Sequence, residues 1–258
     1  VVPYQLYGRT VIVGNPNSLG AMAAILTYVY TIRWFSGASS FKAGCWLLAC
    51  LGVFLLAQSR TAWVGFCVAI LWYVLFSANP SRSLRFRLIL TLVGVVLVGS
   101  GFFASYLTRN QGVEQLQGMS GRALWWQIAW VKFQEASLDE QLFGLGFMTA
   151  NRTIVSDAIG YSVSSLHSDY ADALISSGYL GIGFLVVFIF SSLGGVFALR
   201  RSRTCLVAEL IGICLILCVR SFTGTTFAIF NYFLPLFLAI IVVCGVMART
   251  TVRLDNGR

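Results

Sequence analysis

Apolar and polar positions alternate in blocks along this chain, and the apolar blocks are long. They run from about Asn17 to Phe35, Ala43 to Gln58, Ala62 to Ser77, Leu88 to Leu107, Tyr179 to Leu199, Leu206 to Val219 and Phe227 to Met247. A helix crosses a bilayer in roughly 17–25 apolar residues, and most of these blocks meet or approach that length. The pattern predicts seven membrane-spanning helices. Local punctuation agrees with it. Gly14-Asn15-Pro16-Asn17 reads as a helix start, with Asn15 as cap and Pro16 in the first turn. Ser59-Arg60-Thr61 makes a tight connection, Asn79-Pro80 ends the third block, and Pro235 predicts a kink in the seventh.

One long polar interval, residues 109–178, interrupts the series and holds seven of the nine acidic residues and the sole histidine, His167. Inside it, Arg122 to Glu135 carries apolar residues at helical spacing, with Trp125, Trp126 and Trp130 crowded together. Tryptophan favours the headgroup level, so this helix is expected to lie flat on the outer membrane surface. Gly144-Leu145-Gly146 predicts a turn. Residues 166–178 predict a helix leading into the fifth span, with Gly178 and Gly181 permitting a bend. The expected fold is all-α, a polytopic bundle with one large extracytoplasmic loop containing interfacial helices. Its parts are residues 1–107 (four spans), 108–178 (the loop) and 179–258 (three spans and a cytoplasmic tail).

Composition supports the membrane reading. The chain is 58% hydrophobic and 10% charged, with mean hydropathy +0.82, whereas soluble domains carry about 25% charged residues. The net charge of +9 does not point to nucleic acid, because the cations sit in short clusters between apolar blocks. One set of connections holds Arg33, Lys42, Arg82, Arg85, Arg87, Arg200, Arg201, Arg203, Arg249, Arg253 and Arg258. The alternate short connections hold only Arg9, Arg60 and Arg220. The positive-inside rule places the first set in the cytoplasm and the polar interval on the periplasmic or outer side. The seven cysteines fall in or beside apolar blocks without a CxxC pair, which predicts reduced core thiols and no metal site. The chain begins at Val1 and its first span follows almost at once, so an upstream portion is expected.

Chemistry is expected where arginines meet the outer face. Arg9, Arg60, Arg122 and Arg220, with His167, all lie near outer span ends. Guanidinium groups grip phosphate by bidentate hydrogen bonds. Any one of them can equally snorkel to lipid phosphate. His167 can act as a general base near neutral pH or be a satisfied interfacial residue. Asp169 and Asp172 share a helix face and can orient an imidazole, bind a sugar, or simply be solvated. No dinucleotide fingerprint, phosphate-binding Walker loop, HExxH or GxSxG motif is present.

Gly8-Arg9 before Gly14-Asn15-Pro16-Asn17, Gln58-Ser59-Arg60-Thr61-Ala62, Gly121-Arg122 with Trp125 and Trp126, Gly144-Leu145-Gly146, His167-Ser168-Asp169-Tyr170 and Gly178-Tyr179-Leu180-Gly181 follow one another in order. This ordered set resembles the O-antigen ligase and polymerase superfamily of bacterial envelope proteins. The resemblance implies an inner-membrane enzyme with a periplasmic active face. It would move a glycan from an undecaprenyl-pyrophosphate donor to a sugar hydroxyl on lipid A-core or on another glycan, without metal or cofactor. It also implies that Arg60 and Arg122 hold the donor pyrophosphate and that His167 activates the acceptor hydroxyl or acts beside the leaving group. Arg9, Arg220, Asp169 and Tyr170 follow as further substrate-binding candidates. Family members often have His-Asn where this chain has His167-Ser168, and they usually carry more spans, so a carboxy-terminal portion is expected here. The alternatives are a polysaccharide polymerase, a protein O-oligosaccharyltransferase, and a bicarbonate-type transporter. A transporter should carry ionisable groups near mid-membrane, whereas these charges sit at span ends apart from Glu209.

Overall fold

The computed structural model describes residues 4–6, 9–11, 16–37, 40–77, 80–81, 83–86, 88–90, 122–147, 150–160, 163, 165–201, 204–227 and 232–256. The described elements are helical apart from one short antiparallel hairpin, β1 (Tyr4–Leu6) and β2 (Arg9–Val11), pairing Tyr4 with Val11 and Leu6 with Arg9. Apolar periodicity did not announce this hairpin, because three-residue strands are too short to show an alternation. The helices are α1 (Pro16–Phe35), α2 (Phe41–Ala57), α3 (Arg60–Phe76), α4 (Arg122–Glu135), α5 (Leu138–Phe143), α6 (Ser156–Ile159), α7 (Asp169–Ala198), α8 (Cys205–Thr223) and α9 (Phe233–Asn256).

Helices therefore stand where the first, second, third, fifth, sixth and seventh apolar blocks lie. The fourth block lies outside the described residues from position 91 onward. Among the described residues two helices, α7 and α8, are long and apolar enough to cross a membrane, with mean hydropathies of 2.3 and 2.2 over their best windows. α7 also contains the predicted bend. Gly178 adopts φ 67°, ψ −164° inside it, and a Cβ there would strike the Leu142 carbonyl. Only glycine fits that conformation beside a backbone so close.

The chain forms two compact units: residues 1–110, 193–220 and 236–258 make the first, and residues 111–192 and 221–235 make the second. The first is a helical scaffold. Gln58 in the left-handed region (φ 46°) turns α2 into α3, and Phe54 then stacks on Trp63 with ring centroids 4.3 Å apart. Ala23, Ala24, Phe54 and Ala62 form the buried seam of this corner. Gly212 gives α8 a smooth face on which the Tyr28 ring of α1 lies, and the Tyr28 hydroxyl donates to the Ala208 carbonyl at 2.9 Å. Arg33 closes the same helix pair with a two-pronged bond to the buried Glu209, at 2.7 and 2.9 Å.

The second unit buries Ala129, Phe133, Val155, Val163, Leu166 and Ile175 as its core, with Trp125 and Trp126 packed on it. The seven cysteines are all free thiols. Cys50, Cys214 and Cys244 are buried as expected, but Cys45 and Cys67 face outward from the chain.

Candidate functional site

The second unit assembles its polar side chains around the loop before α7. Asp172 in the first turn of α7 accepts from the Leu166 amide at 3.3 Å, and Trp126 Nε1 donates to the Leu166 carbonyl at 2.8 Å. Leu166 itself is fully buried. Both backbone groups of one residue are thus satisfied by side chains, which is how an irregular segment tolerates burial. Ser168 is buried and starts α7, its hydroxyl accepting from the Ala171 amide at 3.4 Å. Ser168, where the chain departs from the His-Asn pattern of the family it resembles, is therefore a helix cap here.

Between these fixed points His167 takes φ 54°, a left-handed conformation uncommon outside glycine. Its ring stacks on Trp125, with centroids 6.0 Å apart and planes 28° from parallel. Its Nδ1 lies 3.3 Å from Ser165 Oγ, and its backbone amide donates to the same oxygen at 3.3 Å. Thr225 Oγ1 donates to Ser165 Oγ at 3.2 Å. Strain of this kind persists only where the surroundings over-determine it, and here the stacked Trp125 ring, the bonds to Ser165 and the anchored neighbours Leu166 and Ser168 do so.

Arg122 opens α4, and its Nη1 donates to the carbonyl of Thr223, the last residue of α8, at 2.8 Å. A helix C-terminus is a favourable place for a cation. Asp169 is 98% buried, and one oxygen of its carboxylate accepts from the amides of Thr226 and Phe227 at 2.7 and 2.9 Å. Tyr170 stacks on the exposed ring of Phe222 at 4.7 Å, and its hydroxyl accepts from the buried Ser221 at 3.4 Å. Arg122, His167, Asp169 and Tyr170 are thus brought together in one unit, around the segment 221–227.

The other candidates belong to the scaffold unit. Arg60 is the first residue of α3 and half-buried. Arg220 is buried in the last turn of α8 and donates to Ser18 Oγ of α1 at 3.0 Å. That bond gives it a part in holding α1 and α8 together. Arg9 lies in β2, and its side chain is outside the described residues. Among the described residues no three His, Cys, Asp or Glu side chains gather as metal ligands.

Sequence reasoning missed Ser165, Ser221, Thr223, Thr225 and Thr226. The run Ser221-Phe222-Thr223-Gly224-Thr225-Thr226 was a visible polar gap between the sixth and seventh blocks, and it was read only as a connection. The three tryptophans of α4 have different surroundings. Trp125 and Trp126 serve the histidine loop, whereas Trp130 is the one largely exposed, stacked on Phe133 at 6.0 Å.

A family model described as O-antigen ligase matches residues 43–186, which include Arg60, Arg122, His167, Asp169 and Tyr170 and leave out Arg9 and Arg220. No curated protein and no solved structure matches the chain significantly. The match covers more than half the sequence and spans the histidine loop and the helix that opens with Arg122, so the chain belongs to the O-antigen ligase family of membrane proteins.

Proposed function

We propose that this chain is a membrane glycosyltransferase that moves a glycan from an undecaprenyl-pyrophosphate donor to a sugar hydroxyl of lipid A-core on the periplasmic face. The observation that carries the reading is the pairing, within one unit and one family-matched segment, of a conformationally pinned histidine with Arg122. The alternation of apolar blocks and the cationic asymmetry of the connections between them support the periplasmic placement.

In the reaction, the acceptor oxygen bonds to the anomeric carbon as the bond from that carbon to pyrophosphate breaks. The electron pair leaves on undecaprenyl pyrophosphate, and the hydroxyl proton passes to His167 where it acts as the base, or to an oxygen of the departing pyrophosphate where His167 stands beside the leaving group. Charge grows on the leaving phosphate, so cations fixed beforehand lower the barrier. Arg122 and Arg60 are assigned to that charge, Arg60 on the family resemblance. Fixed guanidinium groups can supply what a divalent metal supplies elsewhere, which makes the reading metal-independent. His167 either exchanges a proton with the acceptor hydroxyl or stands beside the leaving group. Tyr170, with Phe222, offers an aromatic face to a sugar ring. Arg220 and Arg9 remain secondary, Arg220 because Ser18 already engages it.

The test uses the complete reading frame, reconstituted with an undecaprenyl-pyrophosphate-linked repeat unit, with and without lipid A-core, and products separated on a gel. Transfer that requires the core acceptor supports the ligase. A ladder that grows without it moves the assignment to a polymerase of repeat units. No product from folded protein and active donor overturns glycan transfer to sugars, and a protein acceptor or anion transport is then tested.

A further inference from the structure

The imidazole of His167 is held by a relay that reaches back to a buried carboxylate, and the relay has a direction. Ser165 Oγ accepts two hydrogen bonds, from the His167 amide and from the Thr225 hydroxyl. A serine oxygen has two lone pairs and one proton, so its acceptor capacity is filled and its own O–H is left to donate. Among the described residues, the group within reach of that proton is His167 Nδ1, 3.3 Å away. A neutral imidazole that accepts at Nδ1 carries its proton on Nε2. Thr225 in turn is placed by its neighbours in sequence, because Asp169 grips the Thr226 and Phe227 amides with one carboxylate oxygen. Asp169 occupies the first turn of α7, where the helix dipole favours a buried negative charge.

We infer that Asp169, Thr225 and Ser165 form a positioning relay that fixes His167 as the Nε2–H tautomer, so that the ring meets its ligand as a hydrogen-bond donor. Resting on the transferase reading above, this selects between the two roles left open for His167: it stands beside the oxygen-rich leaving group. Asp169 is then a positioning residue and not a sugar ligand, since its carboxylate is engaged by the two amides.

His167 is the sole histidine of the chain, so one pair of imidazole nitrogen resonances reports on it without assignment. The full-length protein, purified through a tag without histidine and labelled with 15N-histidine in lipid nanodiscs, is measured at about pH 8.5, above the ordinary imidazole range. The expected result is an unprotonated, pyridine-type Nδ1 and a protonated, pyrrole-type Nε2. The reverse pattern overturns the inference. Thr225→Val removes the donor to Ser165, and Asp169→Ala releases the segment that carries Thr225. Each is expected to give mixed tautomers, while Asp169→Asn, whose carbonyl oxygen can accept both amides, keeps the wild-type pattern. Tautomers unchanged in Thr225→Val with native helical content overturn the relay even if Asp169→Ala fails to fold. An Asp169→Asn spectrum like that of Asp169→Ala also overturns it, because negative charge would then be what matters.

The transfer assay adds a second reading. Thr225→Val should lower kcat about 10–100-fold, the cost of a small misplacement of a reacting group, with KM held within about twofold. An equal loss in KM alone counts against positioning. A wild-type protein with the expected tautomer but no glycan transfer would sink the transferase reading and leave the tautomer assignment standing.

Discussion

The two units spend their polar side chains differently. In the scaffold unit they tie helix to helix: Arg33 to Glu209, Arg220 to Ser18, Tyr28 to the Ala208 carbonyl. In the second unit they hold irregular backbone: Trp126 and Asp172 on Leu166, Asp169 on Thr226 and Phe227, Arg122 on Thr223. Regular helices satisfy their own amides and carbonyls, so their side chains are free to set how they pack. Loops cannot, and must borrow side chains to stay in place once buried. The contrast marks the second unit as the part where position of a few atoms is under control, which is what a reacting site needs.

The largest effects should fall on activity far more than on stability. His167→Ala and Arg122→Ala are each expected to reduce transfer by about 10³-fold, or roughly 4 kcal/mol of barrier. Thermal unfolding of His167→Ala in nanodiscs should match wild type. Arg122→Ala, which also loses the bond to the Thr223 carbonyl, should unfold at a slightly lower temperature, a loss of about 1 kcal/mol. Full activity in either variant removes that residue from the mechanism. Gly178→Ala should strike stability first. A methyl group there meets the Leu142 carbonyl in a conformation with φ 67°, and a misfit of this kind costs about 3 kcal/mol. The expected outcome is lower yield and a lower unfolding temperature, with activity per folded molecule falling too, because the bend lies in the helix that carries the histidine loop. A Gly178→Ala protein as stable as wild type would mean that the bend relaxes freely.

Next comes the scaffold's own clamp. Glu209 is buried while Arg33 keeps nearly half its side chain exposed, at 6% and 47%. Breaking a fully buried pair costs about 3–5 kcal/mol, and exposure of the arginine brings the expected loss for Glu209→Ala down to about 2 kcal/mol. Transfer per folded molecule should stay as in wild type. A fall in activity with unchanged unfolding temperature would show that the scaffold clamp bears on catalysis, and the contrast between the units would fail.

How much of this was legible beforehand divides along the same line. Helices α1, α2, α3, α7 and α8 follow from runs of apolar residues, because a helix is a local object and its signal is local. The bend at Gly178 and the helix opening at Arg122 were likewise visible in neighbouring residues. The engagement of Asp169 was not. Its partners Thr226 and Phe227 lie 57 and 58 positions away, and they offer backbone amides, which every residue but proline carries. No residue type announces such a bond. The packing of Trp125 on the imidazole was hidden for a related reason: a ring suited to the headgroup level is equally suited to stacking on a histidine. His167 stood out by being alone, but its left-handed backbone could not be read from a histidine codon's neighbours.

The smallest expected effect tests whether backbone anchoring extends to the rim of the second unit. α5 begins with a reciprocal cap in which the Glu140 carboxylate accepts from the Ser137 amide and hydroxyl at 2.9 and 2.8 Å. Those two bonds, the amide first, hold the Glu140 carboxyl below its ordinary range of titration. A depressed folded-state pKa means that the cap stabilises fully above the unfolded value and is lost as pH falls through the folded one. Beyond α5 the chain docks on the bend of α7, with the Leu145 and Gly146 amides donating to the Ile175 and Ser176 carbonyls at 2.9 and 3.2 Å. Glu140→Ala should therefore speed hydrogen exchange at the amides of Gln141 and Gly144 near neutral pH, while leaving those of Leu145 and Gly146 protected. Wild type and variant should converge only once pH has dropped below the ordinary carboxyl range of about 4 and through the depressed value of Glu140. If Leu145 and Gly146 lose protection together with α5, the cap and the bend open as one piece, and the rim shares the control that the second unit exerts around His167.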